Sequence, residues 1–142
     1  MAEGLTIQQV ADQTGLSVHT LRYYERAGLV LGIGRQTGGQ RRYTEDDLSA
    51  LDFVQRLRRT GMPIRHVRRY VELVREGDDT QASRQAILLA HRSEVVAQME
   101  ELQRCLDVID AKIAYYETGQ WPEGKVPAPP HVRRRQRAGE RA

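Results

Sequence analysis

In the stretch TLRYYERAGLV, residues 20 to 30, two arginines enclose two adjacent tyrosines and a glycine follows. At helical spacing His19, Arg22, Tyr23 and Arg26 fall at i, i+3, i+4 and i+7 and share one face, while Val18 and Leu21 point elsewhere, into a small core. Arginine can give two parallel hydrogen bonds to a guanine edge, and the other side chains can hold phosphates. A solvated basic face is the bland alternative, and the neighbouring segments weigh against it. Arg35, Arg41, Arg42 and Tyr43 lie in GIGRQTGGQRRY, residues 32 to 43, where Thr37-Gly38-Gly39 predicts a turn between two short segments. Such a wing can reach backbone or minor groove beside a recognition helix. A third basic group, Arg56, Arg58, Arg59, Arg65, Arg68 and Arg69, straddles Gly61-Met62-Pro63. Free amides at that helix junction would add to a phosphate clamp, although Arg65, Arg68 and Arg69 serve equally well as solvated charge.

Other chemistries find no residues. No nucleophile, base and orienting group form a set, and no glycine motif of the phosphate-binding type occurs, so the chain is expected not to be an enzyme. One cysteine, Cys105, and four scattered histidines predict neither a metal site nor an intramolecular disulfide, and no cofactor is expected. No apolar run approaches the roughly 18 residues of a membrane span, and MAEGLTIQQV has no signal pattern; a soluble, intracellular protein is expected. The net charge of +3 conceals a division: residues 1 to 70 carry +4, residues 71 to 121 carry −5, and residues 122 to 142 carry +4. A nucleic-acid site is therefore sought outside the acidic middle. Arginine abundance alone is weak support, since 20 of the 22 basic residues are Arg and a GC-rich genome produces the same bias.

These groups need elements to hold them. Thr6 and Gln9 form a capping-box pattern before a helix of about two turns that ends near Gly15. Ser17 caps a second helix, roughly 18 to 27, with Gly28 as its stop, and the pair reads as a helix-turn-helix. Thr44, followed by Glu45, Asp46 and Asp47, opens a helix carried by Leu48, Leu51, Val54 and Leu57 to Gly61. Pro63 opens the next, with Ile64, Val67, Val71 and Val74 on one stripe before Gly77. Thr80 to Glu117 then runs without Pro or Gly. Val95, Met99, Leu102, Leu106, Ile109, Ile113 and Tyr116 alternate spacings of 4 and 3, a heptad seam with Met99, Leu106 and Ile113 at a. A monomer could not hide that seam, so a homodimer is predicted. The expected organisation is a DNA-binding domain over 1–77, a coiled-coil dimerisation helix over 78–117 and a Pro- and Arg-rich tail over 118–142, mostly disordered.

Three separated segments, LTIQQVADQTGLSVHTLRYYERAGLV, GQRRYTEDDLSALDFVQRLRRTGMPI and the helix ending LDVIDAKIAYYE, together resemble the MerR family of bacterial transcription regulators over about residues 5 to 117. TGMPI and the YYE ending are most similar to the aldehyde, thiol and nitrosative-stress branch (NmlR/AdhR-like). The resemblance implies a mainly α fold: a winged helix-turn-helix followed by a long helix that dimerises in an antiparallel coiled coil. It implies double-stranded promoter DNA as partner, inverted-repeat operators with an overlong spacer, and activation by distorting that DNA so that RNA polymerase, an indirect partner, reads both promoter elements. Ser17, His19, Thr20, Arg22 and Tyr23 fall in the recognition segment, where His19 and Arg22 would face bases. Tyr24, Arg42, Tyr43 and Arg58 would hold phosphates, with Arg35 and Arg41 beside them on the wing.

The chain also departs from that pattern. Metal-sensing members carry a cysteine at the start of the dimerisation helix, where this chain has Thr80 to Ser83, and the stress branch has a sensing cysteine where this chain has Arg56. Cluster-bearing members need several cysteines, and multidrug sensors add a ligand domain that is expected to be absent. Cys105, at heptad position g, is either a small residue flanking the seam or a redox contact across the dimer axis. His91 is either a partly buried polar residue at the seam's frayed start or a ligand or pH switch. Trp121 either caps an effector pocket against Tyr115 and Tyr116 or packs on the end of the coil. The tail arginines either add DNA affinity or solubilise. The function class remaining beside a promoter-binding regulator is a coiled-coil interaction protein, or one that coats DNA without reading it.

Overall fold

The structure, a computed structural model, describes residues 4–30, 34–35, 41–124 and 126–141, apart from the side chains of 34, 35 and 41. It forms two compact units, Met1–Arg92 and Ser93–Ala142. The first unit therefore takes in the opening turns of the long helix, beyond the expected boundary at residue 77.

Local chemistry accounts for each element of the first unit. Helix α1 (Ile7–Thr14) starts with the expected capping box, Thr6 accepting from the Gln9 amide while the Gln9 side chain accepts from the Thr6 amide at 2.8 Å. It ends on Gly15, whose φ of +76° is the left-handed conformation that closes a helix most cheaply without a Cβ. Helix α2 (Val18–Arg26) is capped by Ser17 and ends at Ala27. Strands β1 (Gly34–Arg35) and β2 (Arg41–Arg42) pair antiparallel, Gly34 opposite Arg42 and Arg35 opposite Arg41. The expected turn at Thr37-Gly38-Gly39 lies outside the described residues. Leu5 extends this ribbon, exchanging backbone hydrogen bonds with Tyr43 at 2.7 and 2.8 Å. A Cβ on the adjacent Gly4 would stand 2.7 Å from the Tyr43 carbonyl, so the close approach needs glycine there.

Helix α3 (Glu45–Arg59) opens with a second capping box, Thr44 with Asp47, and Asp47 is buried by it. Helix α4 (Ile64–Glu76) follows Pro63 and stops at Gly77. A single 3-10 turn, Asp78–Thr80, leads into α5 (Gln81–Thr118), 38 residues without a break. Two apolar clusters hold this unit. Val10, Ala11, Leu21, Val30, Tyr43 and Leu51 join the helix-turn-helix to the ribbon and α3. Leu29, Val54, Leu57, Met62, Val67 and Val71 join α3 to α4, with Ile87 and Leu88 of α5 packed against them. Tyr24 touches both clusters.

The second unit overturns the expectation of a disordered tail. After α5 the chain turns back through Trp121, whose indole N–H donates to the Val126 carbonyl at 2.8 Å, and forms α6 (Pro130–Glu140). Pro130 sits in the first turn of α6, where its missing N–H costs nothing. Val132 is fully buried with Trp121 against Ala111 and Tyr115 of α5. The tail's few apolar residues are thus concentrated in one small cluster, which its average composition conceals. Ala111 and Tyr115 take heptad positions f and c, opposite the seam, so the tail covers the back of α5. The seam itself stays exposed: Met99 is 63% and Leu102 68% accessible, with Leu106, Ile109, Ile113 and Tyr116 also open and Val95 half-buried.

Candidate nucleic-acid interface

The recognition segment is built from its cap outward. Ser17 accepts from the Thr20 amide at 3.0 Å and its hydroxyl also bonds the Thr20 hydroxyl at 2.9 Å, so both side chains fix the start of α2. Leu21, fully buried, is the peg that sets the rotation of the helix. With Leu21 inward, His19, Arg22, Tyr23 and Arg26 are all exposed on the outer face, as their spacing predicts. Tyr23 is stacked obliquely beside Tyr24, ring centres 6.1 Å apart, and Tyr24 is half-buried between the two clusters.

Two arginines of α4 secure the end of α2 from 41 and 45 residues away. Arg68 Nε donates to the Ala27 carbonyl at 2.9 Å, and Arg75 Nη2 donates to the Val30 carbonyl at 3.1 Å. Sequence spacing left Arg68 open between phosphate contact and solvated charge, and it did not single out Arg75. No local signal could have found either, because their acceptors are backbone carbonyls of a distant segment.

The basic residues at the α3–α4 junction divide. Arg58 Nη1 donates to the Met62 carbonyl at 2.7 Å, holding the Gly61-Met62-Pro63 turn while the rest of its half-exposed guanidinium is available. Arg56 Nε instead binds Asp52 at 2.9 Å, and that hydrogen bond, aided by the carboxylate charge, raises the guanidinium pKa above its ordinary value.

The wing holds one correction. Tyr43, expected on a phosphate, is 1% exposed in the first cluster, and its hydroxyl donates to the Glu25 carboxylate of α2. An alternating strand residue beside half-buried Leu5 and buried Val10 is drawn inward, so Tyr43 ties the ribbon to α2 and does not face solvent. Arg42 is half-buried, with its Nε buried and lacking a hydrogen-bond partner among the described residues. Arg35 and Arg41 lie on the paired strands, and their side chains are outside the described residues.

No group of three or more His, Cys, Asp or Glu among the described residues is placed to hold a metal ion. No helix among them is long and apolar enough to cross a membrane. Cys105 is exposed on α5, its thiol 3.8 Å from the Glu101 carboxylate of the preceding turn.

The family profile of MerR helix-turn-helix regulatory proteins matches residues 5–73, and the MerR DNA-binding profile matches residues 48–112. The chain belongs to the MerR family. It is accordingly a DNA-binding transcription regulator rather than an enzyme. Among MerR relatives, an uncharacterised HTH-type transcriptional regulator of Haemophilus influenzae is 37% identical over 112 residues, 79% of this chain and 83% of that protein. The HTH-type transcriptional regulator AdhR of Bacillus subtilis is 39% identical over 92 residues, 65% of this chain and 66% of AdhR. The crystal structure of HiNmlR, a MerR family regulator lacking the sensor domain and bound to promoter DNA, superposes with a TM-score of 0.73 at 37% identity, covering 79% of this chain and 89% of HiNmlR. That of a MerR family regulator from Listeria monocytogenes gives 0.79 at 32% identity, covering 98% and 100%. These likenesses bear out the resemblance to the NmlR/AdhR-like members.

Proposed function

We propose that the chain works as a homodimer that binds an inverted-repeat operator in a promoter, α2 of each subunit entering the major groove. The outward face of α2 carries this reading: a capped helix pegged by Leu21 presents His19, Arg22, Tyr23 and Arg26 together. Arg22 and His19 read base edges; Arg42, Arg58 and the half-buried Tyr24 engage the flanking phosphates, with Arg35 and Arg41 reaching from the wing. Ser17 and Thr20 contribute by fixing the start of α2.

Dimerisation follows from the exposed seam. Val95, Met99, Leu102, Leu106, Ile109 and Ile113 are symmetric about residue 104, so an antiparallel partner sets Leu102 against Leu106, Met99 against Ile109 and Val95 against Ile113, each an a residue facing a d. Two α2 helices related by a twofold axis then meet a twofold-symmetric site, and distortion of the DNA between them controls RNA polymerase without contacting it. HiNmlR bound to promoter DNA supports the same partner here. The setting is the bacterial cytoplasm, at the nucleoid.

A nuclease footprint on the DNA upstream of the chain's own and neighbouring genes, with excess competitor, tests the reading. Protection of one two-fold symmetric segment between promoter elements is expected. Diffuse protection on every promoter would instead assign the chain to nonspecific DNA coating or to a coiled-coil interaction role.

A further inference from the structure

The outer surface of α6 carries charge with no ion pair to any acid among the described residues. At 100° per residue Arg133, Arg134, Arg137 and Arg141 fall on one stripe, opposite buried Val132, and all four are exposed. Arg133, Arg134 and Arg137 surround a shallow cleft at Pro130. No ion pair joins any of the four to an acid among the described residues. Arg133 and Arg137, Arg134 and Arg137, and Arg137 and Arg141 are like charges three or four residues apart, each pair opposing the helix it lies on. The array is nevertheless held helical and facing outward, because Val132 is anchored under Trp121 and against Ala111 and Tyr115.

We propose that this stripe is a second docking surface for the phosphate backbone of double-stranded DNA, separate from the recognition helix and wing. Four guanidiniums on one stripe match phosphate oxygens in charge and geometry, and two further features select that occupant. The stripe offers no large apolar or aromatic side chain, which the centre of a protein interface requires. The one bulky apolar residue of α6, Val132, is buried, so the helix has no face to insert into a lipid headgroup layer. From Arg133 to Arg141 the stripe runs about 12 Å at 1.5 Å per residue, the length over which one DNA strand presents about three to four phosphates. Neutralising the like charges on a polyanion removes the repulsion within α6. The contact is independent of sequence, adding affinity without discrimination.

This inference rests on the DNA-binding reading above, and the experiment separates the two. Binding of the full chain to operator DNA and to an unrelated duplex is measured across a salt series. The quadruple variant R133Q/R134Q/R137Q/R141Q and the corresponding quadruple Arg→Lys variant are compared with wild type. Far-ultraviolet circular dichroism and fluorescence of Trp121, which packs beside Val132, verify that the tail is folded. If the stripe holds phosphates, the Gln variant loses about 0.9 of the log–log salt slope per contact given up and at least about tenfold in affinity, equally on both duplexes. The Lys variant retains most of the slope. An unchanged slope in a folded Gln variant overturns the proposal, and so does a loss confined to the operator. An unchanged slope with reduced transcription by added polymerase likewise overturns it and assigns the stripe to an acidic protein partner. Failure of wild type to prefer the operator would instead count against the operator reading, whatever the variants do.

Discussion

The Oγ1 of Thr60 and the Nε2 of His91 lie 2.7 Å apart, joining the end of α3 to α5 inside the first unit. The Thr60 hydroxyl also lies 3.0 Å from the carbonyls of Arg56 and Leu57. Its single proton serves one of these three acceptors at a time, so the direction of the Thr60–His91 bond is set by which imidazole nitrogen carries the hydrogen. His91 is 8% exposed, a buried polar strut of the head at the start of the seam.

Replacing it should therefore destabilise the head. His91→Ala removes a buried ring and its hydrogen bond, at a cost of about 1 to 3 kcal/mol. Urea unfolding of the first unit measures this, and a change below a few tenths of a kcal/mol would refute the strut.

Tyr43 separates a structural from a DNA role. Tyr43→Phe keeps the ring in the cluster but deprives Glu25 of a donor, with an expected loss of about 1 to 2 kcal/mol in stability. The salt slope of DNA binding should not move. A slope lowered by about 0.9 would return Tyr43 to the phosphates.

Arg22 is exposed on the recognition face and has no hydrogen bond or ion pair within the folded chain among the described residues. Arg22→Ala is expected to cost about 1 to 3 kcal/mol at the cognate operator and much less on unrelated DNA. Equal losses on both, read by competition binding, would make it a phosphate contact.

In the proposed antiparallel register Leu106 faces Leu102 of the partner, so Leu106→Glu would introduce a carboxylate at each of two equivalent places in the seam. Sedimentation at micromolar concentration should show a monomer, with operator affinity lowered at least about a hundredfold through loss of the second half-site. A variant that stays dimeric would move the interface elsewhere.

Cys105 flanks that seam at g. With the axis near residue 104, the two Cys105 residues are offset by about 3 Å along helices about 8 to 10 Å apart. A disulfide needs Cα atoms within about 7 Å. Diamide should therefore give no covalent dimer on a non-reducing gel, and Cys105→Ser should leave dimerisation and induction unchanged. A diamide-dependent dimer band would restore the redox role.

What could be read from the sequence was what a few neighbouring residues decide. Thr6 with Gln9, Ser17, and Thr44 satisfy amides three positions away, so the starts of α1, α2 and α3 are written in the chain itself. The 4–3 spacing of the seam and the shared face of His19, Arg22, Tyr23 and Arg26 follow from helical geometry alone. Tertiary structure decided the remainder. Tyr43 turns inward because Glu25, 18 residues away, accepts its hydroxyl; Arg68 and Arg75 serve α2 because folding brings carbonyls of Ala27 and Val30 to them. The tail is ordered because Trp121 and Val132 find Ala111 and Tyr115 on the back of α5. Polar composition averaged over 25 residues conceals such a cluster, since burial depends on which side chains meet and not on how many there are.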